Sequence, residues 1–166
     1  MQTKKFTFAQ FLNAFPTIEF PVTLNEEAHH TFSQVNTPLP GLMIDQFLAE
    51  ILGPVDEYTE FIPCFRHTEK DKFNAIVVWK AGLLHYEYFL LTYDPRGTLL
   101  QIESIAGMIT KEDTIWRKMA LISEDLIINV VEGKQQGAQF DSQASLNYYL
   151  EILDNGFIYN SRAEFN

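Results

Sequence analysis

The tetrapeptide Asp94-Pro95-Arg96-Gly97, set between two aromatic and β-branched runs, constrains this chain more than any other feature. It suits a type I turn with Gly97 left-handed in a G1 bulge, which pairs Asp94 with Thr98. That register sets Tyr86, Tyr88 and Leu90 opposite Ala106, Ser104 and Ile102. Ala81-Gly82, read as a two-residue loop, pairs Lys80 with Leu83 and carries Phe73, Ala75, Val77 and Trp79 onto the same face as Leu84, Tyr86 and Tyr88. Two turns read independently therefore predict one apolar face.

The opposite face of these three strands mixes Asn74, Lys80, His85, Glu87, Gln101 and Glu103 with Ile76, Val78, Phe89, Leu91, Leu99 and Ile105. A curled sheet, covered on one face by helices and partly enclosed on the other, accommodates both patterns. Further on, Ser123 and Leu126 flanking Glu124-Asp125 predict a hairpin pairing Leu121 with Ile128, Met119 with Val130 and Arg117 with Glu132. Residues 133–137 read as a polar loop, Leu146 to Leu153 as a strand, and Asp154-Asn155-Gly156 as a closing hairpin into Phe157-Ile158-Tyr159. No βαβ alternation points to a parallel sheet.

Ahead of the strands, Thr7 and Gln10 fit a capping box, and Phe8, Phe11, Leu12 and Phe15 recur at helical spacing until Pro16. Residues 17–24 read as extended, and Asn25 as the cap of a short polar helix through Phe32. Met43, Ile44, Phe47, Leu48, Ile51 and Leu52 form an amphipathic stripe stopped by Gly53-Pro54. The 14% aromatic share favours strands. The expected class is α+β, with two or three N-terminal helices packed on a curled antiparallel β-meander of about six to eight strands. One domain, 1–166, is expected, its helical part at about 5–54 and its meander at about 57–160.

A net charge of −10 argues against a surface that tracks phosphates, which needs clustered Lys and Arg, and repels anionic lipid. Nucleic acid and membrane are thus excluded as expected partners, leaving a basic protein or a small molecule. The lone Cys64 rules out an internal disulfide and a cysteine-rich zinc site. The N-terminal Met1-Gln2-Thr3-Lys4-Lys5-Phe6 leads into no secretory apolar stretch, so the cytoplasm is the expected location.

No Gly-rich phosphate loop, G-x-S-x-G elbow or H-E-x-x-H spacing is present. The candidate site is His85, Glu87 and Glu103, with Gln101 and Lys80 able to orient a ligand. Paired carboxylates beside a histidine can share acid and base roles when an apolar setting separates their pKa values. The plain alternative is that these are outward side chains on a partly exposed sheet. His29-His30 beside Glu26 and Glu27 has helical metal-ligand spacing but reads as surface histidines, and Cys64 reads as a core thiol. No cofactor or metal is expected.

The segment Leu91-Thr92-Tyr93-Asp94-Pro95-Arg96-Gly97, with a tyrosine strand and D-x-G turn at Tyr148 to Phe157, resembles uncharacterised bacterial domains of unknown function over residues 73 to 159. The resemblance implies a run of strands and carries no catalytic residues. The expected function is a non-enzymatic binding protein, adaptor- or immunity-like, taking a basic partner as monomer or homodimer. A small-molecule binder or hydrolase using the concave sheet face is the alternative. A subunit whose sheet edge is completed by another copy is a third.

Overall fold

A computed structural model describes residues 5–136 and 139–162. Met1–Lys4 and Gly137 lie outside the described residues, while residues 133–136, expected as a polar loop, instead complete the strand Ile127–Gln136 by pairing with 114–117. The described residues form nine antiparallel strands and three short helices. α1 (Phe8–Asn13) begins at the capping box expected of Thr7 and Gln10, whose side chains and backbone amides bond reciprocally. β1 (Val22–Leu24) and α2 (Ala28–Val35) follow, and Asn25 Oδ1 accepts from the amides of Glu27 and Ala28, both at 3.0 Å. α3 (Gly41–Phe47) is shorter than its apolar stripe implies. Residues 48–52 continue it as irregular turns that end at Gly53, φ +89°.

The strands β2 (Glu60–Glu69), β3 (Phe73–Ala81), β4 (His85–Tyr93), β5 (Leu99–Lys111), β6 (Thr114–Ile122), β7 (Ile127–Gln136), β8 (Gln139–Ile152) and β9 (Ile158–Asn160) pair in sequence order. β1 joins the edge of β6 at Val22–Leu24, beyond the point where β5 leaves it. The meander β2–β9 thus holds eight strands, within the six to eight expected, and the ninth, β1, comes from the segment 17–24 read as extended. The outer edge of β2 is not open. Pro63 has no amide to offer, Asn36 Nδ2 donates to the carbonyls of Pro63 and Cys64, and the Arg66 amide donates to Pro16 O at 2.8 Å.

Two buried clusters flank the β3–β4 pair. One gathers Phe73, Ala75, Val77, Trp79, Tyr88, Leu90 and Ala106 with Ile122, Ile128, Val130 and Leu150 from later strands. The other joins Phe11, Met43 and Leu48 of the helical segment to Ile76, Val78, Leu91 and Tyr93. Eight of the ten residues expected on one apolar face belong to the first cluster or pack against it. The other two do not: Leu84 is exposed, and Ile102 packs against the second cluster.

Three registers differ from expectation, each for a local reason. The β3–β4 turn falls at Leu83-Leu84, two residues beyond Ala81-Gly82, with Gly82 N donating to His85 O, so Lys80 faces Glu87 instead of Leu83. The four-residue shift keeps side chains on their expected faces. At Asp94–Thr98 the turn forms as read, with Gly97 at φ +98°. Bulges beside Thr92/Tyr93 and Tyr88/Phe89 then reverse part of β5, so that Gln101 faces Thr92 and Glu103 faces Leu90. In the β6–β7 hairpin Leu126 takes φ +67° in the place a glycine usually holds, and Met119 pairs with Val131, one residue from the expected register.

Candidate functional site

The five residues singled out from the sequence divide between two faces. The β5 bulges move Gln101 and Glu103 away from the face of Glu87. Gln101 Oε1 accepts the Ile158 amide of β9 at 2.8 Å, and its Nε2 donates to Glu103 Oε1 at 3.3 Å, so this pair fastens β9 to β5. Lys80 is buried, and its ammonium donates to the carbonyls of Leu52 and Pro54 below α3. Burial lowers its pKa, opposed by the charges of Glu87 and Asp56. Its place is that of a cap on a helical segment, not of a ligand contact. His85 is exposed beside the β3–β4 turn.

Glu87 belongs to a different constellation. Cross-strand pairing aligns Lys80, Glu87, Gly107, Lys118 and Glu132 in one row across β3 to β7. The adjacent row runs His85, Ile109, Trp116 and Lys134. Residues paired in this way share a sheet face. Gly107 has φ +153°, and a Cβ there would lie 2.3 Å from Tyr86 O, so only glycine fits. A cavity of about 80 Å³ opens at this point, its lining including Glu87, Ser104, Gly107, Trp116, Lys118 and Glu132.

The charges around it are ordered. Lys118 Nζ donates to Ser104 O at 3.0 Å and Ser104 Oγ at 3.4 Å. Glu132 accepts from Tyr148 Oη at 3.1 Å and from Arg162 Nη1 at 2.8 Å, while the Arg162 guanidinium lies 4.2 Å from the centre of the Tyr148 ring. Burial and the neighbouring Glu132 push the Tyr148 phenol up to about 12, so at neutral pH it remains a donor. Lys134 Nζ stands 5.1 Å over the Trp116 ring.

No protein-family model, curated protein or solved structure matches this chain. Among the described residues no group of three His, Cys, Asp or Glu side chains could hold a metal ion, and Glu26 instead pairs with Arg117 at 3.3 Å. His29 stacks on Trp79, and Cys64 is buried, its thiol pushed up by desolvation. No described helix is long and apolar enough to cross a membrane.

The sequence reading missed Lys118, Glu132, Trp116 and Lys134. Its β6–β7 register set Arg117 opposite Glu132, and a slip of one residue exchanges the two faces of β6. The missed signal was the turn itself: Ser123-Glu124-Asp125-Leu126 closes with Ser123 N to Ile127 O, the same form as Asp94–Thr98.

Proposed function

We propose that this chain is an intracellular, non-enzymatic binding protein that receives a basic protein partner on the uncovered face of β6, β7 and β8. One observation carries the reading. Met119, Leu121, Val131 and Tyr149 are 49%, 43%, 47% and 39% exposed, and register places them on a single face. Contiguous apolar side chains in water mark an interaction surface more often than a solvated one. The helices are spent elsewhere, α1 and α3 on Ile76, Val78 and Leu91 and α2 on Trp79 and Phe65. Glu124, Asp125 and Glu151 stand toward the hairpin end of this face, and the net charge of −10 favours a partner with a basic rim. Because the β2 edge is covered by Asn36, Pro16 and Arg66, the face is the better docking surface. In this reading the sheet curls so that its later strands share a core with β3 and β4.

The test is affinity capture with wild type and with the double variant Met119→Glu, Val131→Glu, followed by titration of the identified partner in rising salt. Loss of the partner in the double variant, and affinity falling with salt, are expected. Salt-independent affinity, or a homodimer seen by light scattering and abolished by the same substitutions, overturns the basic-partner reading.

A second reading, small-molecule binding, is favoured by the cavity at Glu87. At about 80 Å³ it is well below the usual drug-sized pocket of about 300–1,000 Å³, so its ligand is a small one.

A further inference from the structure

Resting on that second reading, we propose that the notch over Gly107 binds a free α-amino acid, its ammonium held by Glu87 and its carboxylate by Lys118. Glu87, Gly107 and Lys118 follow one another across β4, β5 and β6. Neighbouring strands lie about 4.8 Å apart, which sets the two charged residues roughly 10 Å apart at the backbone. Glycine leaves nothing between them. Charge-assisted contacts of about 2.8 Å at each end, with a zwitterion roughly 3 Å long between its charges, fill that gap.

The neighbours of both charges are already committed. Lys80, paired with Glu87 across β3–β4, gives its ammonium to the carbonyls of Leu52 and Pro54. Glu132, paired with Lys118 across β6–β7, accepts from Tyr148 and Arg162. Neither Glu87 nor Lys118 is in an ion pair among the described residues. Lys118 uses two of its three N–H donors on Ser104, and one remains. A simple anion would leave Glu87, which feels the charge of Lys80 but is in no ion pair with it, without a contact of opposite charge, and a simple amine would leave Lys118 without one. A zwitterion satisfies both. Ile109 and Trp116, also lining the cavity, offer an apolar exit for the side chain.

The experiment titrates the full chain with L-leucine, read by calorimetry and by the fluorescence of Trp116, which is 49% exposed while the other tryptophan, Trp79, is buried. Saturable binding is expected, weakened about tenfold or more by Glu87→Gln and by Lys118→Met, and retained by Lys118→Arg. Thermal melts establish that each variant is folded. 4-Methylvalerate, lacking the ammonium, and isopentylamine, lacking the carboxylate, are each expected to bind about tenfold or more weakly. If either half-ligand binds as tightly as leucine with the same dependence on Glu87 or Lys118, the zwitterion is wrong and the small-molecule site stands. If leucine and both half-ligands fail to saturate, both are wrong. Leucine binding unchanged in Glu87→Gln and Lys118→Met overturns the placement.

Discussion

His29 lies flat against Trp79, their ring centroids 4.6 Å apart and their planes within 2°. The contact docks α2 on β3, and partial burial lowers the histidine pKa, with repulsion from His30 adding to the effect. Glu26, Glu27 and Glu60 act in the opposite direction. The folded state therefore favours neutral imidazole. Between the lowered folded value and the ordinary 6.5, the unfolded chain binds more protons, so stability rises with pH across that window and falls as pH drops below about 6.5. Thermal melts from pH 7.5 to pH 5 are expected to show that fall, and His29→Phe to reduce its slope. A slope unchanged by the substitution removes His29 as its source.

Lys80 and the carbonyls of Leu52 and Pro54 form a second joint between helix and sheet. Lys80→Met preserves much of the side-chain volume but leaves those carbonyls without their donor. The expected loss is about 1–3 kcal/mol, measured as a lower urea midpoint at unchanged slope. If the cap matters as argued, Gly53 and its neighbours also lose hydrogen-exchange protection while β6 and β7 do not.

Two glycines give opposite predictions. At Gly107 a methyl group would meet Tyr86 O at 2.3 Å and Glu87 Cα at 2.9 Å, so Gly107→Ala is expected to cost more than about 2 kcal/mol. At Gly41, the first residue of α3, an added Cβ meets nothing within 4 Å. Gly41→Ala is expected to stabilise the fold by about 0.4–1 kcal/mol by restricting the unfolded chain. Denaturation of both variants beside wild type checks the pair, and equal effects would contradict the geometry.

The apolar skeleton was legible because the turn at Asp94–Gly97 names its own register, and the error at the β3–β4 turn was an even shift that left every face intact. The candidate site was not legible to the same degree. The β5 bulge nearer the turn has no glycine to announce it, yet it turns Gln101 and Glu103 to the face of Leu90. Leu126 occupies a left-handed position where sequence rules look for glycine, and the resulting slip hid Lys118 behind Arg117. Single-residue insertions cost the backbone little and are stabilised by distant contacts, such as that of Gln101 with Ile158, which local sequence does not encode. Charged residues on sheet faces are sensitive to such insertions, because parity alone decides which of them meet.

That distant contact can itself be tested. Gln101 Oε1 takes the amide of Ile158, the residue where β9 begins, and β9 holds only three residues to the edge of β8. Gln101→Leu keeps an apolar stem but removes the acceptor, leaving the Ile158 amide to find water. The loss is local, because β9 contributes one side chain, Ile158, to the buried cluster while β3 contributes several. Native-state hydrogen exchange is expected to speed about tenfold or more at Ile158 and to stay unchanged at Val77 in β3. Uniform acceleration at both amides would instead mean that Gln101 supports the whole fold, and unchanged exchange at Ile158 would mean that the β8 pairing alone holds β9 in place.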